Sequence, residues 1–116
     1  MTTFIDTTNC ERIKLDDFSG EMAEIVNRDL CGAEDVLAML RWLKDGQKFA
    51  TESLKNTHQL VYLMEGDGVI NLDGKNYDVT KGAGVYLGPE ETATVAQAGA
   101  IEVKLLHLVA PIIEGR

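Results

Sequence analysis

Two histidines occur in the 116 residues, and the spacing around one of them makes it the first candidate for chemistry. In Glu102-Val103-Lys104-Leu105-Leu106-His107-Leu108-Val109, charged and apolar residues alternate with the period of a half-buried strand. With Glu102 and Lys104 toward solvent, Val103, Leu105 and His107 turn inward. An inward imidazole suits a general base or a hydrogen-bonding group for a ligand, its ordinary pKa being ~6.5. The plainer alternative is a core histidine satisfied by one hydrogen bond. Lys55 offers a point charge for a carboxylate or phosphate or, if desolvated, an amine able to attack a carbonyl. Its plainer reading is a solvated rim lysine. Ser53 brings a hydroxyl but no evident base to activate it. Arg41 interrupts the apolar run Val36–Leu43. By default Trp42 packs in the core and Arg41 faces solvent, so a buried Arg41 would point to function.

The elements that must position these groups are short strands. Gln59–Met64 is an apolar run rich in β-formers, closed by Gly66-Asp67-Gly68, whose glycines permit a tight turn. Val69–Leu72 follows, then Asp73-Gly74, the signal of a two-residue hairpin in which both central residues need positive φ. Tyr77–Val79 returns as its partner. Gly82 and Gly84, Val85-Tyr86-Leu87 and Gly88-Pro89-Glu90-Glu91 read as turn, strand and solvated turn. Short strands at this spacing predict an all-β sandwich or barrel. The glycines punctuate hairpins and open no helix, so no phosphate-binding loop is expected.

Composition sets the limits. A chain of 116 residues, 45% hydrophobic, holds one core. A net charge of −8, with 11 Lys and Arg scattered among 19 acids, argues against nucleic acid and anionic membrane surfaces. No apolar run approaches the ~20 residues that span a bilayer, and Met1–Lys14 lacks the basic start and apolar stretch of a signal peptide. A cytoplasmic protein is the expectation. Cys10 and Cys31 fit no paired-cysteine spacing and are expected as free thiols.

At this point the residues resemble a family. HQLVYLMEGDGVINLDGKNYDVTKGAGVYLGPEE, residues 58–91, is similar to the two-motif core of the small single-domain cupins, in which Y-V-L-E-G-E-G is followed by D-G and then G-D-x-x-Y-I-P-P. Its first motif looks most like that of cupins reading H-x-H-x-H-E-Q-x-x-Y-V-L-E-G, the pectin-degradation type among them. The resemblance runs from about Phe49 to Pro111. It implies an all-β cupin barrel, a double-stranded β-helix or jelly roll, forming a single domain over 1–116. Residues 1–32 would supply edge strands that pair with a partner subunit in a homodimer, and 33–116 the barrel core.

The same register places the family's two ligand histidines of motif one on Ser53 and Lys55, keeps its glutamine as Gln59, and puts the histidine of motif two on Ala93. A serine, a cationic lysine and an alanine do not replace imidazoles around a transition metal, so neither metal nor cofactor is expected. A different register could still gather Glu52, His58 and His107 into a metal site. With Gln59 facing the interior, Val61 and Leu63 share its face while His58 and Tyr62 point outward. An inward His107 would approach Gln59 across the barrel, and Lys55 would sit at its mouth. For Ala33–Leu43 local propensity favours a helix, whereas the resemblance implies a strand, and a strand is the expectation. Alternation then puts Leu37, Met39, Arg41 and Leu43 on one face and Val36, Ala38, Leu40 and Trp42 on the other. The functional expectation is a small polar or anionic organic ligand held without metal by Ser53, Lys55, Gln59, His107 and Arg41. Two alternatives stand beside it. One is a metal-independent isomerase, epimerase or lyase of a sugar or carboxylate, with His107 as base. The other is a structural homodimer with a filled barrel.

Overall fold

A computed structural model describes residues 4–110 apart from Asn9, Arg28, Asp29, Cys31, Ala33 and Glu34. The Cys31 thiol and the start of the Ala33–Leu43 run therefore lie outside the described residues. Ten strands follow in order: β1 Ile13–Lys14, β2 Glu21–Val26, β3 Leu37–Leu43, β4 Lys48–Ala50, β5 His58–Glu65, β6 Asp67–Leu72, β7 Lys75–Thr80, β8 Gly84–Leu87, β9 Thr94–Ala98 and β10 Val103–Ala110. They form two antiparallel sheets, one ordered β1-β2-β3-β10-β5-β8 and the other β4-β9-β6-β7. No helix among the described residues is long and apolar enough to cross a membrane.

Turn chemistry fixes the register of the second sheet. Asp73 and Gly74 both have positive φ, 52° and 80°, so β6 and β7 pair from Leu72 with Lys75 onward. The expected turn at Gly66-Asp67-Gly68 is a corner and not a reversal. At Gly66, φ 89°, the chain passes from β5 in one sheet to β6 in the other while still pairing with the same returning segment, Tyr62 with Gly84 and Asp67 with Thr80, and Asp67 and Gly68 also pair with Ala98 and Gln97 of β9. Gly68 is needed for close approach instead, since a Cβ there would lie 2.9 Å from the Ala96 carbonyl oxygen.

The space between the sheets holds the main core: Leu43, Phe49, Val61, Leu63, Ile70, Leu87, Ala93, Val95, Val103 and Leu105. Burying a leucine or valine of this kind stabilises the fold by roughly 1.5–3 kcal/mol. A second, smaller cluster of Ala23, Leu40 and Trp42, flanked by Cys10, Ile25, Met64 and Leu106, lies on the outer face of the large sheet.

β3 is a strand over Leu37–Leu43 despite its helix-forming residues. It runs between β2 and β10 with both faces covered, and such a strand reads as a continuous apolar run without clear alternation. Tertiary pairing overrides local propensity here. The default reading of Trp42 as a packed core residue holds, and that of Arg41 as solvent-facing does not. Trp42 is buried, but on the outer face, where the Arg12 guanidinium lies 4.1 Å from its ring centroid. Arg41 is half-buried on the inner face and not in solvent. Lys104 likewise departs from its expected exposure. The N-terminal segment covers its position on β10, and its ammonium donates to the Thr7 carbonyl at 2.7 Å with 7% of its surface exposed.

Candidate functional site

The inward alternation of β10 and β5 brings two polar side chains together in an apolar interior. His107 Nε2 lies 2.8 Å from Gln59 Oε1. The strands are neighbours, with His107 opposite Val61 and Val109 opposite Gln59, so the contact is a diagonal one within the sheet and not one across the barrel. Gln59 Nε2 donates to the Glu52 carbonyl at 2.9 Å. A carbonyl can only accept, so the amide oxygen of Gln59 is what faces the histidine, and His107 must donate from Nε2. The neutral ring then carries its free lone pair on Nδ1, which is buried and has no partner. Burial, helped by the charge of Arg41, lowers the His107 pKa to about 4. The imidazole is neutral at physiological pH.

Arg41 supplies the charge. Its guanidinium carbon stacks 4.0 Å from the Phe49 ring centroid, and on Phe49 also rests the His107 ring, 4.9 Å away and tilted by 58°. Its Nη2 donates weakly to Met39 Sδ at 3.7 Å, and Nε has no partner. Desolvation lowers the Arg41 pKa, against the opposing field of Glu52, yet a guanidinium stays protonated near neutrality. The result is a cation held on an aromatic face with no carboxylate bonded to it among the described residues.

These groups line a cavity of about 510 Å³, with Glu52 at its wall and Leu15, Leu37, Met39, Leu54 and Val109 supplying most of the remaining surface. That volume is typical of sites for small organic molecules. This pocket, partly open to solvent, lies beside the packed core.

Of the residues singled out in the sequence, Gln59, His107 and Arg41 meet in this cavity. Ser53 and Lys55 stand elsewhere. The Ser53 hydroxyl donates to the Glu90 carbonyl at 3.0 Å, and Lys55 is exposed on the loop before β5. Ala93, at the position of the family's second-motif histidine, is buried in the main core and tied through its backbone to Thr51. His58 lies on the outer face of β5 and hydrogen-bonds the Tyr86 hydroxyl, so only Glu52 and His107 of the alternative metal set share the cavity. No three of His, Cys, Asp and Glu are grouped as a metal would require among the described residues. One imidazole, with its Nε2 engaged by an amide, and one carboxylate beside a guanidinium do not fit the donor set of a transition metal. Phe49 and Met39 were not foreseen as site residues, because an apolar side chain in a strand carries no sign of which cavity it faces.

No protein-family model matches the chain. An uncharacterised protein of Methanocaldococcus jannaschii is 26% identical over 61 residues, which are 53% of this chain and 49% of that protein, so the match spans about half the length of each. Solved structures are more informative about architecture. An RmlC-like cupin from Shewanella frigidimarina superposes with a TM-score of 0.73 at 16% identity, over 98% of this chain and 95% of that one. This chain has the cupin fold. A predicted oxalate decarboxylase from Thermotoga maritima shares that fold with a TM-score of 0.80 at 15% identity, covering 95% of this chain and all of the other. The polyketide cyclase RemF from Streptomyces resistomycificus gives 0.77 at 14% identity, over 100% of this chain and 83% of that one. At such identities the cupin barrel is what is shared, and chemistry must be argued from the site.

Proposed function

We propose that this cupin barrel binds a small organic carboxylate in its interior, without a metal. One observation carries the reading: Arg41 faces a mostly apolar cavity of about 510 Å³ with no ion pair and with Nε unpartnered among the described residues. A partly desolvated guanidinium without an anion carries a cost, and a planar carboxylate matches its fork. Phe49 holds the guanidinium plane and also offers an aromatic wall to the body of the ligand. His107 and Gln59 form a fixed polar pair beside it. The names of the cupin neighbours, a predicted oxalate decarboxylase and a polyketide cyclase, agree with small-molecule chemistry in such barrels.

Binding is better supported than catalysis by His107. The group that hydrogen-bonds it is the amide of Gln59, which cannot relay a proton, and a pKa of about 4 makes the imidazole a weak base near neutrality.

The test is calorimetric titration with benzoate, 3-phenylpropanoate, hexanoate and oxalate. The expected result is binding of the acids with apolar bodies. Arg41→Met should weaken it ten- to hundredfold, the loss of a charge-assisted bidentate contact being worth about 1.5–3 kcal/mol. Binding unaffected by Arg41→Met would sink the proposal. Elemental analysis after incubation with zinc, manganese or nickel should find well under one metal per chain.

A further inference from the structure

Among the described residues the cavity lining has two charged ones, Arg41 and Glu52, and they differ in depth. Arg41 is half-buried against Phe49, whereas Glu52 is exposed at the rim on the loop after β4. No ion pair joins them, although Glu52 is near enough for its charge to act on Arg41. Among the described residues no donor reaches the side chain of Glu52, which is exposed to solvent; it is the backbone carbonyl of that residue that holds Gln59. With His107 neutral, the lining charges sum to zero.

A rim carboxylate is the wrong neighbour for an anion. It repels a simple carboxylate on its way to Arg41, and the chain's net charge of −8 adds to that repulsion. The same carboxylate becomes an attractive partner if the ligand carries a cation at its outer end. Resting on the carboxylate reading above, we propose that the ligand is zwitterionic: an amino-carboxylic acid with its carboxylate on Arg41, an ammonium toward Glu52 and an apolar body along Phe49, Leu54 and Val109. The mostly apolar lining, Leu37, Met39, Leu54 and Val109 among it, disfavours a wholly polar ligand such as an unsubstituted sugar acid.

Matched probes that differ by one amine test this: L-phenylalanine against 3-phenylpropanoate, and 6-aminohexanoate against hexanoate, titrated into the wild-type chain and into Glu52→Gln and Glu52→Lys. In the wild type at least one amine-bearing probe should bind more tightly than its deaminated match. Glu52→Gln should weaken that probe by about threefold, the scale of an exposed ion pair, and should tighten the plain acid. Glu52→Lys should reverse the preference. Plain acids binding as well as or better than both amines in the wild type would overturn the inference and leave the carboxylate site standing. So would an equal effect of Glu52→Gln on both members of a pair, which would make Glu52 a partner of Arg41 alone. If neither class binds, the carboxylate reading falls and the zwitterion falls with it.

Discussion

His107 and Arg41 show how burial converts ordinary side chains into a site. The imidazole is held by a single hydrogen bond, its second nitrogen is orphaned, and its pKa is lowered to about 4. A histidine whose pKa falls on folding adds stability that is fully present above the unfolded value of ~6.5 and is lost as pH drops toward 4. In that window the unfolded chain binds the extra proton. The expected contribution is about 3 kcal/mol, since each tenfold loss of proton affinity on folding is worth about 1.4 kcal/mol. Comparing the pH dependence of urea unfolding for the wild type and His107→Gln isolates it from the carboxylates, which titrate in both. The difference curve should rise between pH 4 and 6.5 in the wild type's favour, and a flat curve would mean that His107 is not desolvated. At Arg41 the decisive comparison is Arg41→Lys, which keeps the charge but loses the planar fork and the stack on Phe49. It should retain only part of the carboxylate affinity, between the wild type and Arg41→Met in the same titration.

At the scale of elements, hairpins and loops hold the cavity open. Gly20 precedes β2 at φ 77°, and a Cβ there would fall 2.1 Å from the Trp42 carbonyl oxygen, on the strand that carries Arg41. Gly74 has a similar φ of 80°, yet nothing lies within 4 Å of its Cβ position. The two glycines thus separate conformation from contact. Gly74→Ala should cost about 1 kcal/mol for the left-handed backbone alone. Gly20→Ala adds a clash with β3 and should cost more than about 2 kcal/mol. Chemical denaturation of both variants checks the order, and equal losses would show that β3 yields without resistance. The β1–β2 loop also contributes Leu15 and Ser19 to the cavity wall, so Gly20→Ala should weaken carboxylate binding where Gly74→Ala does not.

For the molecule as a whole, a ligand that binds only the folded barrel stabilises it by mass action, about 2.7 kcal/mol at a hundredfold excess over Kd. For a domain of this size that amounts to a rise in Tm of about 10 °C. Thermal melts with each probe should follow the order of affinities measured by titration. A rise that survives Arg41→Met would place the stabilising site elsewhere on the protein.

Much of this architecture was legible in the sequence because it is written in local chemistry. The Asp73-Gly74 hairpin and the strands around Val61 and Leu105 follow from positive-φ residues and a period of two, as does the inward phase of His107, although Lys104, taken there as solvent-facing, is buried; the inward face of Gln59 came from the cupin resemblance. The cupin resemblance carried the strand at Leu37–Leu43 against its own helix propensity. Only the tertiary structure decided what lies over each face. Lys104 is buried because the N-terminal segment crosses it, Trp42 belongs to an outer cluster, and Arg41 turns toward Phe49 because β3 is covered on both sides. The cavity, too, is set by long-range packing. Arg41, Phe49, Glu52, Gln59 and His107 come from four separate stretches of chain, and nothing in their spacing along it shows that they share one wall.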